Sequence, residues 1–252
     1  MKITKYTIRN NKLPKGKVFA LVSDLHGNDP TEVIELLKKM SPDYILAPGD
    51  IFEALDGSGN EANEAGFTLL SACSQIAPTF FAPGNHDVGA THSWSPKWLL
   101  SGYTGKEYSL EDMKRMAKTG AYFIDNSYVI YDGIAFGGLG TGLIYEGRRP
   151  NIEALSEFMS LSCPKVLLCH HPEYYEKYLK DSDIDLIVSG HAHGGQWRFF
   201  GRGVFAPGQG LFPKYTAGVH DNRLVISRGL EESRTVPRIF NPTEVVKIKI
   251  RR

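Results

Sequence analysis

Pro78-Thr79-Phe80-Phe81-Ala82-Pro83-Gly84-Asn85-His86-Asp87 joins a short apolar run to a glycine and then to an amide, an imidazole and a carboxylate in succession. The apolar half reads as a buried strand, and Gly84 stands where such a strand must turn. The polar half holds three different chemistries. Asn85 offers a metal a carbonyl oxygen, His86 carries a proton near neutral pH, and Asp87 is placed to fix which imidazole nitrogen holds it. Alone, these four residues describe an ordinary polar turn, because Asx and Gly favour turns in any protein. Their meaning depends on whether other strands end in the same way.

Upstream, two do. Lys17-Val18-Phe19-Ala20-Leu21-Val22 is a strand covered on both faces and ends in Ser23-Asp24-Leu25-His26-Gly27. Asp29-Pro30 then reads as an N-cap followed by proline in the first turn of a helix whose buried face is Val33, Ile34, Leu37 and Met40. A second strand, Tyr44-Ile45-Leu46-Ala47, runs into Pro48-Gly49-Asp50. A loop at residues 56–60 leads to a helix through about Ile76, with Phe67, Leu69, Leu70 and Cys73 as its apolar positions.

Downstream, residues 90–107 interleave Trp94, Trp98, Leu99, Leu100 and Tyr103 with Ser, Gly and Pro, the pattern of a substrate lid or of an aromatic loop folded onto its own core. A helix is expected around Ser109 to Lys118. Short strands are expected near Tyr122 to Ile124, Tyr128 to Tyr131 and Ile134 to Gly137, and Asn151 caps a helix through about Leu161. Lys165-Val166-Leu167-Leu168-Cys169 then ends at His170-His171-Pro172. Ile184-Asp185-Leu186-Ile187-Val188 ends at Ser189-Gly190-His191-Ala192-His193-Gly194-Gly195. The last third is β-rich, with Trp197 to Phe200, Arg223 to Ser227, and Val246, Ile248 and Ile250 alternating with Lys247, Lys249 and Arg251. Absence of repeats, low-complexity segments and linkers predicts one domain over residues 1–252.

Composition excludes several classes. Apolar residues at 42% and charged residues at 23% argue against disorder and against a membrane-embedded chain. A net charge of +1 gives no general field toward nucleic acid. No segment approaches the length of a spanning helix, and Met1 to Tyr6 lacks the apolar stretch of a signal peptide. Cys73, Cys163 and Cys169 have no paired zinc spacing and read as reduced packing residues, which suggests a cytoplasmic chain; the oligomeric state is open.

Five strand ends therefore carry Asp24 and His26, Asp50, Asn85 and His86, His170, and His191 with His193. Strand ends of this kind converge in α/β sheets. Mixed nitrogen and oxygen donors without thiolate suit Mn, Fe, Zn, Ni or Co, and they are too many for one ion. They suit two divalent or trivalent ions sharing a carboxylate, an arrangement that clamps both the attacking and the leaving oxygen in phosphoryl transfer. Asp24 or Asp50 alone would read as a cap or turn residue, and His191 with His193 as a polar loop. Taken together, their spacing supports chemistry.

In order, Asp24-Leu25-His26, Gly49-Asp50, Gly84-Asn85-His86-Asp87, His170 and Gly190-His191-Ala192-His193 resemble the signature of the calcineurin-like metallophosphoesterase superfamily over residues 17 to 195. Gly194-Gly195-Gln196, Pro207-Gly208, Gly218, Ser227-Arg228-Gly229 and Phe240-Asn241-Pro242 are similar to a bacterial branch that includes phosphodiesterases and UDP-diacylglucosamine pyrophosphatases. The resemblance implies an α/β fold, specifically a four-layer α/β/β/α sandwich with two central mixed β-sheets. It also implies Asp24, His26 and His193 on one metal, Asp50 bridging, and Asn85, His170 and His191 on the second. By the same resemblance a hydroxide between the ions attacks phosphorus, His86 assists, and Asp87 holds the His86 tautomer. Manganese is the expected metal, and the substrate is a small-molecule phosphate ester or a lipid headgroup. A phosphomonoesterase, or a non-catalytic scaffold on the same fold, is the alternative; a complete ligand set favours the enzyme. His92, His171 and His220 have no place in the signature, and Arg228 reads either as a phosphate ligand or as a surface arginine.

Overall fold

The structure, a computed structural model, describes residues 1–57, 59, 61–88, 108–141, 149–206, 209–232 and 237–252. Residues 90–107, with His92, Trp94, Trp98, Leu99, Leu100 and Tyr103, and the Pro207-Gly208 pair lie outside the described residues. In chain order the first strands are β1 (Lys2–Arg9), β2 (Val18–Leu21), β3 (Tyr44–Pro48), β4 (Thr79–Ala82) and β5 (Tyr122–Phe123). They are followed by β6 (Ser127–Tyr131), β7 (Ile134–Leu139), β8 (Lys165–Cys169) and β9 (Leu186–Ser189). Four two-residue strands come next: β10 (Arg198–Phe199), β11 (Arg202–Gly203), β12 (Phe205–Ala206) and β13 (Gly210–Leu211). The last are β14 (Gly218–His220), β15 (Leu224–Ile226) and β16 (Glu244–Arg251). The helices are α1 (Thr31–Met40), α2 (Ala62–Ile76), α3 (Leu110–Thr119) and α4 (Ile152–Met159).

Two six-stranded mixed sheets form the centre, ordered β1-β16-β2-β3-β4-β5 and β14-β15-β9-β8-β7-β6. Alternation along each strand explains why the central ones read as continuous apolar runs: both faces are buried. In β4, Phe80 and Ala82 enter the core between the sheets, while Phe81 turns to the core under α1, α2 and α3. In β8, Val166 and Leu168 face the other sheet, and Leu167 and Cys169 face the core under α4. Phe80 and Phe136 stack across the inter-sheet core with centroids 3.7 Å apart, so truncating either to alanine should cost about 3–5 kcal/mol. The result is the four-layer α/β/β/α sandwich that the resemblance implied.

Local signals account for most element ends. Ser109 and Asn151 cap α3 and α4 by accepting from Asp112 N and Ala154 N. Asp29 Oδ1 accepts from Thr31 N at 2.9 Å in the turn that leads into α1, but the helix boundary falls on Pro30, one residue later than expected, without a side-chain cap. α4 ends at Met159, earlier than its pattern suggested, because Ser160 Oγ turns back to the Glu157 carbonyl. β1 was not anticipated. It is an edge strand pairing in parallel with β16, and its Lys and Arg residues keep the exposed edge polar, which hides the strand pattern. Among the described residues no helix is long and apolar enough to cross a membrane.

Candidate metal centre

The loops after β2, β3 and β4, neighbours in one sheet, carry Asp24 and His26, Asp50, and Asn85 and His86. The loops after β8 and β9, neighbours in the other, carry His170 and His191 with His193. β3 and β4 pack against β8 and β9, so the crevice lies between the carboxyl edges of two stacked sheets rather than at a switch point within one. Close backbone approach requires glycine here. A Cβ on Gly84 would fall within the van der Waals shell of Asp50 Oδ1, and one on Gly49 would lie 2.7 Å from His170 Nδ1. Gly49 also has φ of 94°; Gly84 opens the turn expected after β4 without a positive φ, so glycine is required there by close packing rather than by backbone conformation. Asp24, His26, Asp50, His191 and His193 all take left-handed φ between 45° and 65°. Such conformations cost on the order of 1 kcal/mol or more each, and clustering of this kind marks a functional site.

Ligand-type atoms of Asp24, His26 and His193 lie within 4.8 Å of one another, and so do those of Asp50, His170 and His191. Asp50 Oδ2 stands 2.9 Å from His170 Nε2 and 3.7 Å from His26 Nε2, which puts it between the groups. The donors are tested by their hydrogen bonding. Asp24 Oδ2, His26 Nε2 and Asn85 Oδ1 are buried and have no hydrogen-bond partner, and His170 Nε2 has only its contact with Asp50 Oδ2, an unfavourable state unless a cation completes them. In His170, His26 and Asp24 the opposite end is anchored. His170 Nδ1 donates to the Pro48 carbonyl at 2.7 Å, His26 Nδ1 pairs with Glu53 at 2.9 Å, and Asp24 Oδ1 accepts from His191 N at 2.9 Å. Each anchor leaves the orphaned atom as the free lone pair, so these residues fit a metal centre.

Electrostatics point the same way. Burial pulls His26 and His170 toward the neutral form, but neighbouring carboxylates outweigh it and hold them up at about 9 and about 10. Burial also opposes the charge on Asp50, yet the surrounding imidazoles keep its carboxyl well below the usual range. His191 and His193 are pushed down, chiefly by burial. Without cations, this is an electronegative crevice that borrows protons to balance its carboxylates.

Asp87 is not the partner of His86. Its Oδ2 accepts from Asp50 N at 2.7 Å and Gly84 N at 2.6 Å, and its Oδ1 from Phe52 N at 2.7 Å. These bonds tie the β3 and β4 loops together; burial and the Asp50 charge push the Asp87 carboxyl up to about 7. His86 Nδ1 instead faces Glu53 Oε2 at 3.0 Å, and the same carboxylate reaches His26 through its other oxygen. The signal for Glu53 was its place three residues after Asp50 on one loop. Glu173 and Glu231 were also missed: Glu173 Oε1 lies 3.1 Å from His171 Nδ1 and 3.8 Å from His191 Nε2, and Glu231 lies 3.5 Å from His193 Nδ1. His171 packs 4.4 Å from the His191 ring, whereas His220 meets Tyr215 edge to face elsewhere. Arg228 is not a surface residue; it is buried against Glu244 and Thr4. Asn241 donates to the carbonyls of His193 at 2.7 Å and Gln196 at 3.1 Å, which gives the Phe240-Asn241-Pro242 motif a structural role.

The family model described as calcineurin-like phosphoesterase matches residues 17–195, more than half the chain, and the chain belongs to that family. An uncharacterized metallophosphoesterase of Aquifex aeolicus (strain VF5) is 25% identical over 267 residues, spanning 100% of this chain and 92% of that one. Phosphodiesterase YaeI of Escherichia coli (strain K12) is 30% identical over 173 residues, 67% of this chain and 55% of YaeI. This chain thus matches about half the length of YaeI. The solved structure of TT1561 of Thermus thermophilus is 17% identical, with a TM-score of 0.43 over 70% of this chain and 82% of that one. As a family member, the chain is a metal-dependent phosphoester hydrolase.

Proposed function

We propose that the chain hydrolyses phosphodiester or pyrophosphate bonds at a two-metal centre, with Asp24, His26 and His193 on one ion, Asn85, His170 and His191 on the other, and Asp50 shared. The observation that carries this reading is the pair of three-residue groups flanking Asp50 Oδ2, with Asp24 Oδ2, His26 Nε2 and the adjacent Asn85 Oδ1 buried without a hydrogen-bond partner. Manganese is the expected occupant, and the free thiols of Cys73, Cys163 and Cys169 suit a cytoplasmic setting. The YaeI name supports diester over monoester chemistry.

When bound, the ions supply Lewis acidity toward phosphoryl oxygens and lower the pKa of water. The protein residues do the rest. Asp50 is held by His86 N, which donates to its Oδ1 at 2.8 Å and leaves Oδ2 to face both groups. His86 is partly exposed, and Glu53 takes its Nδ1, so Nε2 is the nitrogen left for the substrate. Burial lowers the affinity of His86 for its proton, but Asp50 and Glu53 outweigh burial and raise it, the direction that suits a group placed to assist a leaving oxygen.

The test is hydrolysis of bis(p-nitrophenyl) phosphate by the manganese-supplemented protein, with a panel of monoesters, cyclic nucleotides and UDP-linked lipids alongside. His86→Ala should lose most turnover while keeping its metal. Activity confined to monoesters would contradict the proposed bond specificity.

A further inference from the structure

Exposed apolar side chains crowd one side of the His193–Gly195 turn. Of twelve large hydrophobic residues exposed among the described residues, eight lie within residues 197–212 and 239–240. The four most accessible are all there: Phe200 is fully exposed, Phe240 is 78%, Phe212 76% and Leu211 72% exposed. Two hairpins and one loop carry them and are joined. β10 pairs with β11 and β12 with β13. Val204, between the hairpins, donates to the Trp197 carbonyl at 2.9 Å and accepts from Phe212 N at 2.8 Å. Ile239 bridges to Trp197, and the Phe199 and Phe240 rings lie 6.0 Å apart. The assembly sits on the metal-ligand turn, because Val204 N also meets the Gly195 carbonyl at 3.1 Å.

Local backbone preference does not favour phenylalanine at three of these positions. Phe200, Phe212 and Phe240 have φ of 50°, 50° and 52°, a region that bulky side chains rarely enter and that Gly or Asn would occupy more easily. Each residue is nonetheless placed in solvent. Three such side chains expose on the order of 500 Å² of apolar surface, as much as the largest patch of a typical monomer. Between Asp185 and Asp221 there is no carboxylate, but there are Arg198, Arg202 and Lys214, while on the other side Glu232 lines a groove with Arg238 and Phe240. Lys214 is answered by Glu176 at 3.0 Å, and Arg198 donates to the carbonyls of Gly194 and Gly201. Arg202, exposed opposite Phe199 in the hairpin, makes no ion pair among the described residues.

Exposed aromatic side chains, with an unpaired guanidinium across the hairpin from one of them, suit a deformable partner that is apolar inside and anionic outside. A protein partner would need a matching pit for each tip. We propose that residues 197–206 and 209–212, with Ile239 and Phe240, dock the protein peripherally on an anionic lipid surface, phenylalanines at the acyl boundary and Arg202 at the headgroup phosphates. Docking would turn the His193 side of the crevice toward the bilayer. The inference rests on this surface alone and stands or falls independently of the hydrolytic reading.

Co-sedimentation with sucrose-loaded vesicles tests it, comparing phosphatidylcholine alone with phosphatidylcholine containing one-third phosphatidylglycerol. The unaltered chain should bind the anionic vesicles more strongly. Phe200→Ser, Phe212→Ser and Phe240→Ser combined should weaken binding about a hundredfold or more, and Arg202→Glu by roughly fivefold or more. Circular dichroism of these variants checks folding. On the unaltered chain, brominated acyl chains should quench tryptophan emission, and Trp197→Phe should reduce that quenching, which keeps the test decisive if the triple variant fails to fold. Absence of vesicle binding and quenching overturns the proposal, as does binding that the triple variant retains. Self-association of the unaltered chain that the triple variant abolishes, without vesicle binding, would assign the patch to a second copy and overturn it equally.

Discussion

Glu53→Gln is the sharpest perturbation of the crevice short of removing a proposed ligand. The Glu53 carboxylate accepts from two imidazoles at once, His26 Nδ1 at 2.9 Å and His86 Nδ1 at 3.0 Å. Burial opposes its charge, but those histidines outweigh it and hold Glu53 down at about 2, so it is fully ionised at neutral pH. Glutamine keeps the shape but has one accepting oxygen, so one of the two rings must face an N–H₂ that cannot accept. A hydrogen bond to a charged group is worth roughly 1.5–3 kcal/mol, which corresponds to about ten- to a hundredfold. If His86 loses its partner, kcat for bis(p-nitrophenyl) phosphate falls by that factor with metal retained. If His26 loses it, manganese affinity falls by that factor. Titrating manganese against activity and measuring bound metal by mass spectrometry separates the two. A variant within threefold of the parent in both quantities would refute the role given to Glu53.

Asp87→Ala should act on stability, because it strands the amides of Asp50, Phe52 and Gly84. The expected cost is about 3 kcal/mol or more, a fall in Tm of roughly 10 °C in calorimetry; an unchanged Tm would return Asp87 to a purely catalytic part. Metal loading should release protons: His26 at about 9 and His170 at about 10 are imidazolium at pH 7, and both must become neutral to coordinate. Manganese added to chelator-stripped protein should therefore liberate about two protons per chain in an indicator-dye assay, with affinity rising from pH 6 to 9. No release would contradict the assignment of these rings as ligands. Burial pushes the Cys73 thiol up to about 12 and raises Cys169 as well. At pH 8 a thiol reagent should label Cys163 quickly in the native chain and all three cysteines after denaturation; fast labelling of Cys73 would show that the α2 core opens.

Donor identity was readable in the sequence because each donor follows a strand whose both-face burial leaves an unbroken apolar run, as in Phe19 to Val22 and Val166 to Cys169. The sandwich followed from the same runs together with the family resemblance. Charge relay within the crevice was not readable. Asp87 is adjacent to His86 in sequence, but the turn of residues 84–87 directs its carboxylate back to the backbone, and Glu53 arrives from the β3 loop by tertiary convergence. Arg228 was opaque for the same reason, since its partner Glu244 lies on β16, the last strand. β1 escaped because an edge strand protected by Lys2, Lys5 and Arg9 lacks a clean alternation. The exposed phenylalanines read in sequence as one more β-rich segment, and only their accessibility sets them apart.

The central claim is that the seven donors hold two cations with Asp50 between them. Anomalous diffraction from a manganese-loaded crystal tests it most directly. The account predicts two peaks on either side of Asp50 Oδ2, one within coordination distance of Asp24, His26 and His193 and the other of Asn85, His170 and His191. A single peak, or two peaks with Asp50 bound to one alone, would contradict it.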